Sequence, residues 1–128
     1  MASLDEVAGL ALALPEVAEA DRRGTRTWAV AGKVFAWERP FSKADVRRFG
    51  DTTPPGGPIL AVRVADLEDK EAVLASPPEG VFTIPHFDGF AAVLLELGRV
   101  GDRELGELLE DAWLAMAPPG LVADFLGR

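Results

Sequence analysis

The 128 residues include no cysteine and a single histidine, His86. The first absence removes disulfides, thiolate zinc sites, iron–sulfur clusters and cysteine nucleophiles. The second leaves too few nitrogen ligands for a closed zinc site. Serine is scarce too: Ser3, Ser42 and Ser76, none in a G-x-S-x-G elbow, and the first two stand where helices would begin. No EF-hand spacing is present. The glycine-rich "TTPPGGP" (52–58) lacks the G-K-[ST] ending of a P-loop, and no dinucleotide fingerprint follows a strand. No apolar run approaches the roughly 20 residues of a membrane span, so no membrane partner is expected. "MASLDEVAGLALAL" carries acids rather than bases before its apolar stretch, unlike a secretory signal. A cytoplasmic location is the resulting expectation. Acid–base work by carboxylates stays open. With no metal and no cofactor expected, the eliminations favour a binding module over an enzyme.

What is present suits one domain over residues 1–128: 48% of the residues are hydrophobic and 27% charged. The net charge of −8 argues against general affinity for phosphate backbones, but the charge is unevenly placed. Residues 21–50 hold eight bases (Arg22, Arg23, Arg26, Lys33, Arg39, Lys43, Arg47, Arg48) against Asp21, Glu38 and Asp45, a net of +5, which leaves −13 for the rest. Five aromatics, Trp28, Phe35, Trp37, Phe41 and Phe49, are interleaved with those bases.

Ser3 followed by Glu6 is a capping-box signature, and Leu4, Val7, Ala8 and Ala11 recur at helical spacing, which predicts a helix over 4–14 ended by Pro15. "PEVAEADRRG" reads as a connector. "TRTWAVAGKVFAWE" alternates around Ala31-Gly32, which predicts a hairpin with strands near 25–31 and 33–39. Alternation then puts Arg26, Trp28 and Val30 on one face and Lys33, Phe35 and Trp37 on one face of the next strand. Residues 40–57 read as a long loop with one helical turn after Ser42. "ILAVRV" (59–64) reads as a central strand, Asp66 as the cap of a helix reaching Ser76, "VFTI" (81–84) as a short extended piece and "FAAVLLEL" (90–97) as a buried strand. Leu105, Leu108, Leu109, Ala112, Trp113 and Met116 form one apolar stripe of a helix capped by Asp102, in which Gly106 suggests close packing. A short tail helix follows. The expected class is α+β: a two-layer α/β sandwich, with a mostly antiparallel sheet of about five strands and helices on one face.

Two stretches carry functional readings. In "TIPHFDGF" (83–90), Pro85 forces Ile84 to be extended and Asp88-Gly89 is a turn pair. His86 then either supports the turn or, with Trp28, Trp37 and Asp88, contacts a small ligand. In the basic segment, Arg22, Arg23, Arg26, Lys33, Arg39, Arg47 and Arg48 either blunt a sheet edge or, with the aromatics, make a weak surface for DNA or RNA. A protein partner, or a second copy meeting the basic segment with its acidic remainder, is the third reading.

"LPEVAEAD", "GKVFAW", "VLASPPE", "VFTIPHFDGF" and "LLEDAWLAMAP", in that order from Leu14 to Pro118, together resemble the MmcQ/YjbR family. The resemblance implies a compact two-layer α/β fold with an antiparallel sheet. Members are commonly labelled DNA-binding, without an established reaction, cofactor or catalytic residue. This chain departs from the family pattern in having Phe87 and Phe90 where tyrosines are frequent, and in a longer, proline- and glycine-rich 40–57 loop.

Overall fold

A computed structural model describes residues Ala2 to Gly127. The chain runs α1 (Leu4–Leu12), β1 (Val17–Arg22), β2 (Thr25–Val30), β3 (Lys33–Glu38), α2 (Lys43–Arg48), β4 (Ile59–Arg63), α3 (Leu67–Ala75), β5 (Val81–Phe82), a 3-10 turn (Pro85–Phe87), β6 (Ala92–Glu96), α4 (Asp102–Met116) and α5 (Pro119–Leu126). The six strands form one sheet in the order β1-β2-β3-β4-β6-β5, antiparallel throughout. No helix among the described residues is long and apolar enough to cross a membrane.

The sheet has six strands rather than about five because the segment read as a connector is β1. It pairs with β2 from Val17 opposite Val30 to Arg22 opposite Thr25. Its residues beyond Val17 are all exposed, so it carries no apolar alternation to betray it. Both hairpin turns place two successive residues at positive φ, Arg23 and Gly24 (55° and 84°) and Ala31 and Gly32 (49° and 82°). This is the type I′ geometry whose twist matches antiparallel strands.

One face of the sheet carries α1, α4 and α5. Trp28, Val30, Phe35, Leu60, Val62 and Leu95 meet Val7, Leu105, Leu109 and Trp113 in the larger core, with Phe125 of α5 packed against it. The Trp113 indole also donates to Pro15 O across the chain, 2.9 Å away. α4 starts at Gly101 rather than with an Asp102 cap; Asp102 is its first helical residue. Nothing lies within 4 Å of a Cβ added to Gly106, so that glycine does not serve close packing.

The second face is covered over β4, β6 and β5 only. Ile59, Ala61, Ile84, Phe87 and Leu94 pack there with Trp37, Phe41, Phe49 and Phe82, under the 3-10 turn and α2. Over β1 and β2 this face is open, and at β3 the cover ends on Trp37, which is half-buried against Phe87.

Candidate functional site

Trp37 reaches the open face through an irregularity. Trp28 pairs with Ala36, but Ala29 pairs with Val34, so Phe35 is an extra residue, a β-bulge. Phe35 and Ala36 both bury in the helix-covered core. Trp37, opposite Thr27, turns to the other side. The expected grouping of Lys33, Phe35 and Trp37 on one face therefore fails, because simple alternation does not survive an inserted residue.

The open face holds a cleft of about 870 Å³. Arg22 ends β1, Arg23 comes from the β1–β2 turn, Arg39 follows directly after β3, and Arg63 ends β4; Trp37 and Phe90 also line it. The Arg63 guanidinium lies 4.7 Å over the Phe90 ring, and its Nε is buried without a hydrogen-bond partner. Among the described residues, Arg22, Arg23 and Arg63 make no ion pair. Arg39 does: its Nη1 donates to Asp45 Oδ2 at 3.0 Å, and its guanidinium lies 5.6 Å over Phe87.

Asp45 holds that corner. Its side chain is 1% exposed, and it closes a capping box with Ser42 at the start of α2. Burial works to raise its carboxyl, but the hydrogen bonds of Ser42 and Arg39 outweigh it and hold the group below the usual aspartate range. Glu38 also lines the cleft, but its Oε1 accepts from the Arg26 backbone N–H at 3.0 Å. The threonine hydroxyls are committed as well: Thr25 donates to Arg22 O and Thr27 to Ala20 O.

The remaining bases of the 21–50 segment lie outside the cleft. Arg26 faces the helices, where it donates to Glu19 (3.1 Å) and Asp5 (2.8 Å). Glu19 first, then Asp5, raise its pKa further above an already high value. Lys33 is exposed at the second hairpin turn, Arg47 is exposed on α2, and Arg48 lies 4.0 Å from Asp45 Oδ1. Trp28 is fully buried, its indole donating to Glu19 Oε1 at 2.8 Å. Trp28 and Trp37 thus lie on opposite faces and cannot line one pocket.

His86 is exposed on the 3-10 turn and lines a smaller hollow of about 390 Å³ that shares Trp37, Arg39 and Phe90 with the cleft. Ile84 is extended before Pro85 (φ −131°, ψ 159°), and Gly89 has φ 75°. Asp88 lines a separate hollow beside Lys70 on the α3 side. Sequence reasoning missed Arg63, Asp45 and Lys70. Arg63 closes a strand that reads as core, Asp45 reads only as one of three acids in a basic segment, and Lys70 sits among acids. No group of three or more metal-ligating side chains occurs among the described residues.

Open to solvent, flanked by unpaired guanidinium groups and floored by aromatic rings, the cleft can hold an anion joined to a flat or apolar group. Comparisons with known proteins identify relatives and leave the ligand open. The family model described as YjbR matches residues 12–115. Uncharacterized proteins of Mycobacterium bovis and Mycobacterium tuberculosis are each 44% identical over 131 aligned residues, covering all of this chain and 98% of the relative. No solved structure matches.

Proposed function

The chain belongs to the YjbR family, and we propose that in this member the open sheet face is a binding site for nucleotide units of single-stranded nucleic acid. One observation carries the reading: three arginines without acidic partners, joined by Arg39, line the same cleft as Trp37 and Phe90. Guanidinium groups recognise phosphate in a planar, two-toothed geometry. Aromatic rings accept any base face, so such sites are tolerant of sequence. The footprint is smaller than the whole 21–50 segment and includes Arg63 from outside it. A volume of about 870 Å³ fits one or two nucleotide units, not a duplex.

The same chemistry occurs in a free nucleotide. Anisotropy titration of a labelled single-stranded decathymidine, its duplex and competing thymidine monophosphate separates the sources. The proposal expects the single strand to bind more tightly than the duplex, and Arg22→Gln with Arg63→Gln to weaken binding sharply while leaving some of it measurable at low salt. Equal binding of strand and monophosphate would make the ligand a free nucleotide. No binding of any of them at low salt would retire the reading.

Self-association through the exposed β1 edge is opposed by charge. A two-fold antiparallel pairing of β1 with its copy sets Glu19 opposite Glu19, or Glu19 opposite Asp21, in the two registers of greatest overlap, and like charges directly opposite destabilise a sheet pair.

A further inference from the structure

Lys70 is the one base on α3, in LEDKEAVLA, and it is 7% exposed. Its Nζ donates to the carbonyl oxygens of Phe87 and Phe90, the latter at 2.8 Å. The rings of those two residues are the ones set against Trp37: Phe87 stacks with it at 6.2 Å, and Phe90 meets it edge-on at the same distance. Phe87 and Phe90 also contact each other at 5.6 Å.

The turn does not need a lysine to close. Phe87 N–H donates to Ile84 O, Asp88 N–H to Pro85 O and Phe90 N–H to Phe87 O. A buried ammonium is costly; burial lowers the Lys70 pKa and the nearby Asp88 only partly restores it. What the ammonium adds is a tie between the turn and α3, seventeen and twenty residues away in sequence. Phe87 is also held by the second core, whereas Phe90 is 38% exposed and has fewer apolar neighbours to keep it in place.

We infer that Lys70 is a positioning residue for the cleft: it fixes the carbonyls of Phe87 and Phe90 so that the Phe90 ring stands beside Trp37 as a stacking wall, with Arg63 behind it. The inference rests on the nucleotide reading above. It makes α3, which contributes no side chain to the cleft, part of the binding apparatus.

The test compares the wild-type chain with Lys70→Met, binding a single-stranded decathymidine and an abasic strand of equal length. A positioning role predicts about tenfold weaker binding of decathymidine by the variant, the scale of one lost stacking contact, with abasic binding unchanged. Phe90→Ala should give the same split, and adding Lys70→Met to Phe90→Ala should change nothing further. Should Lys70→Met not fold, Lys70→Gln, which keeps an amide donor, should show the same split with a smaller loss. Decathymidine binding equal to wild type, or equal losses on both strands, would overturn the inference and leave the nucleotide reading standing. Failure of the wild type to bind either strand would remove both.

Discussion

Salt dependence tests the arginine cluster more sharply than affinity does, because it counts charges. Each phosphate neutralised on a single strand releases about 0.7 of a counterion. Arg39 is already paired with Asp45 at 3.0 Å, so it has little to release. The countable cations are Arg22, Arg23 and Arg63. Three contacts give a slope of about −2 in log affinity against log salt, or about a twentyfold loss of affinity between 50 and 200 mM salt. Arg22→Gln with Arg63→Gln leaves one contact and about a threefold loss over the same range. Anisotropy of a labelled decathymidine across four salt concentrations measures both slopes, and circular dichroism checks that the variant stays folded. A wild-type slope near zero, or a slope unchanged by the double substitution, would refute the assignment of these arginines to phosphate.

Asp45→Asn keeps the shape of the α2 cap but removes the charge opposite Arg39, and should cost about 2 kcal/mol at neutral pH by urea unfolding. Because the Asp45 pKa is lowered on folding, its stabilisation is present above pH ~4, the unfolded range, and is lost as pH falls through the lower folded value. Wild-type and Asp45→Asn unfolding curves should therefore converge in acid; a constant gap would contradict the ion pair. Gly80 has φ 85°, and a Cβ there would sit 2.8 Å from Val100 N. Gly80→Ala should cost about 2–3 kcal/mol and lower the melting temperature by roughly 10 °C. Gly106 has open space around it in the middle of α4, so Gly106→Ala should raise stability by about 1 kcal/mol, measured in the same melts.

The helices were legible because their signals are local. Ser3, Ser42 and Asp66 each accept from a backbone N–H three residues on, and the α4 stripe buries the residues its spacing marks except Met116, which is half-buried. β1 was not legible for a physical reason. One of its faces carries Ala18, Ala20 and Arg22 onto open sheet, and the other carries one apolar residue, Val17, then Glu19 toward Arg26 and Asp21 accepting from the Gly24 N–H, so neither shows an apolar period. The bulge at Phe35 is equally silent, since "KVFAWE" alternates well enough to be read straight through. Yet that one inserted residue decides which side of the sheet Trp37 occupies. The site was half visible: Arg22, Arg23 and Arg39 stand out by charge, whereas Arg63 and Lys70 gain their roles from contacts that skip twenty residues or more, or nearly so.

On the nucleotide reading, net charge misleads because the cleft arginines and the outer acids of α4 lie on different sides of the sheet. The acids that make the chain strongly negative are concentrated on α3 and α4, where Glu104, Glu107, Glu110, Asp111, Glu68, Asp69 and Glu71 lie. Asp111 feels their crowding: burial first, then Glu107 and Asp69, push its carboxyl above the usual aspartate range. α4 packs on the helix-covered side of β3 and β4, while the arginine cleft opens on the other side. A helix is about 10 Å across and stands about 10 Å from the sheet it covers, so acids on the outer surface of α4, Glu107 and Glu110 among them, lie well beyond a Debye length of about 8 Å at physiological salt, whereas Asp69 and Asp111 line a hollow with Arg63 itself. On the nucleotide reading, a phosphate in the cleft meets Arg22, Arg23 and Arg63 at contact distance, with the outermost α4 carboxylates screened and Asp111 the nearest opposing charge on that helix. At very low salt the screening fails and the acidic side begins to repel the same ligand. Affinity should then stop rising, or turn over, as salt is lowered toward a few millimolar, where the Debye length exceeds 30 Å. A plain cationic surface would show no such plateau. Its appearance in the salt titration would mark a local positive site on a negative protein.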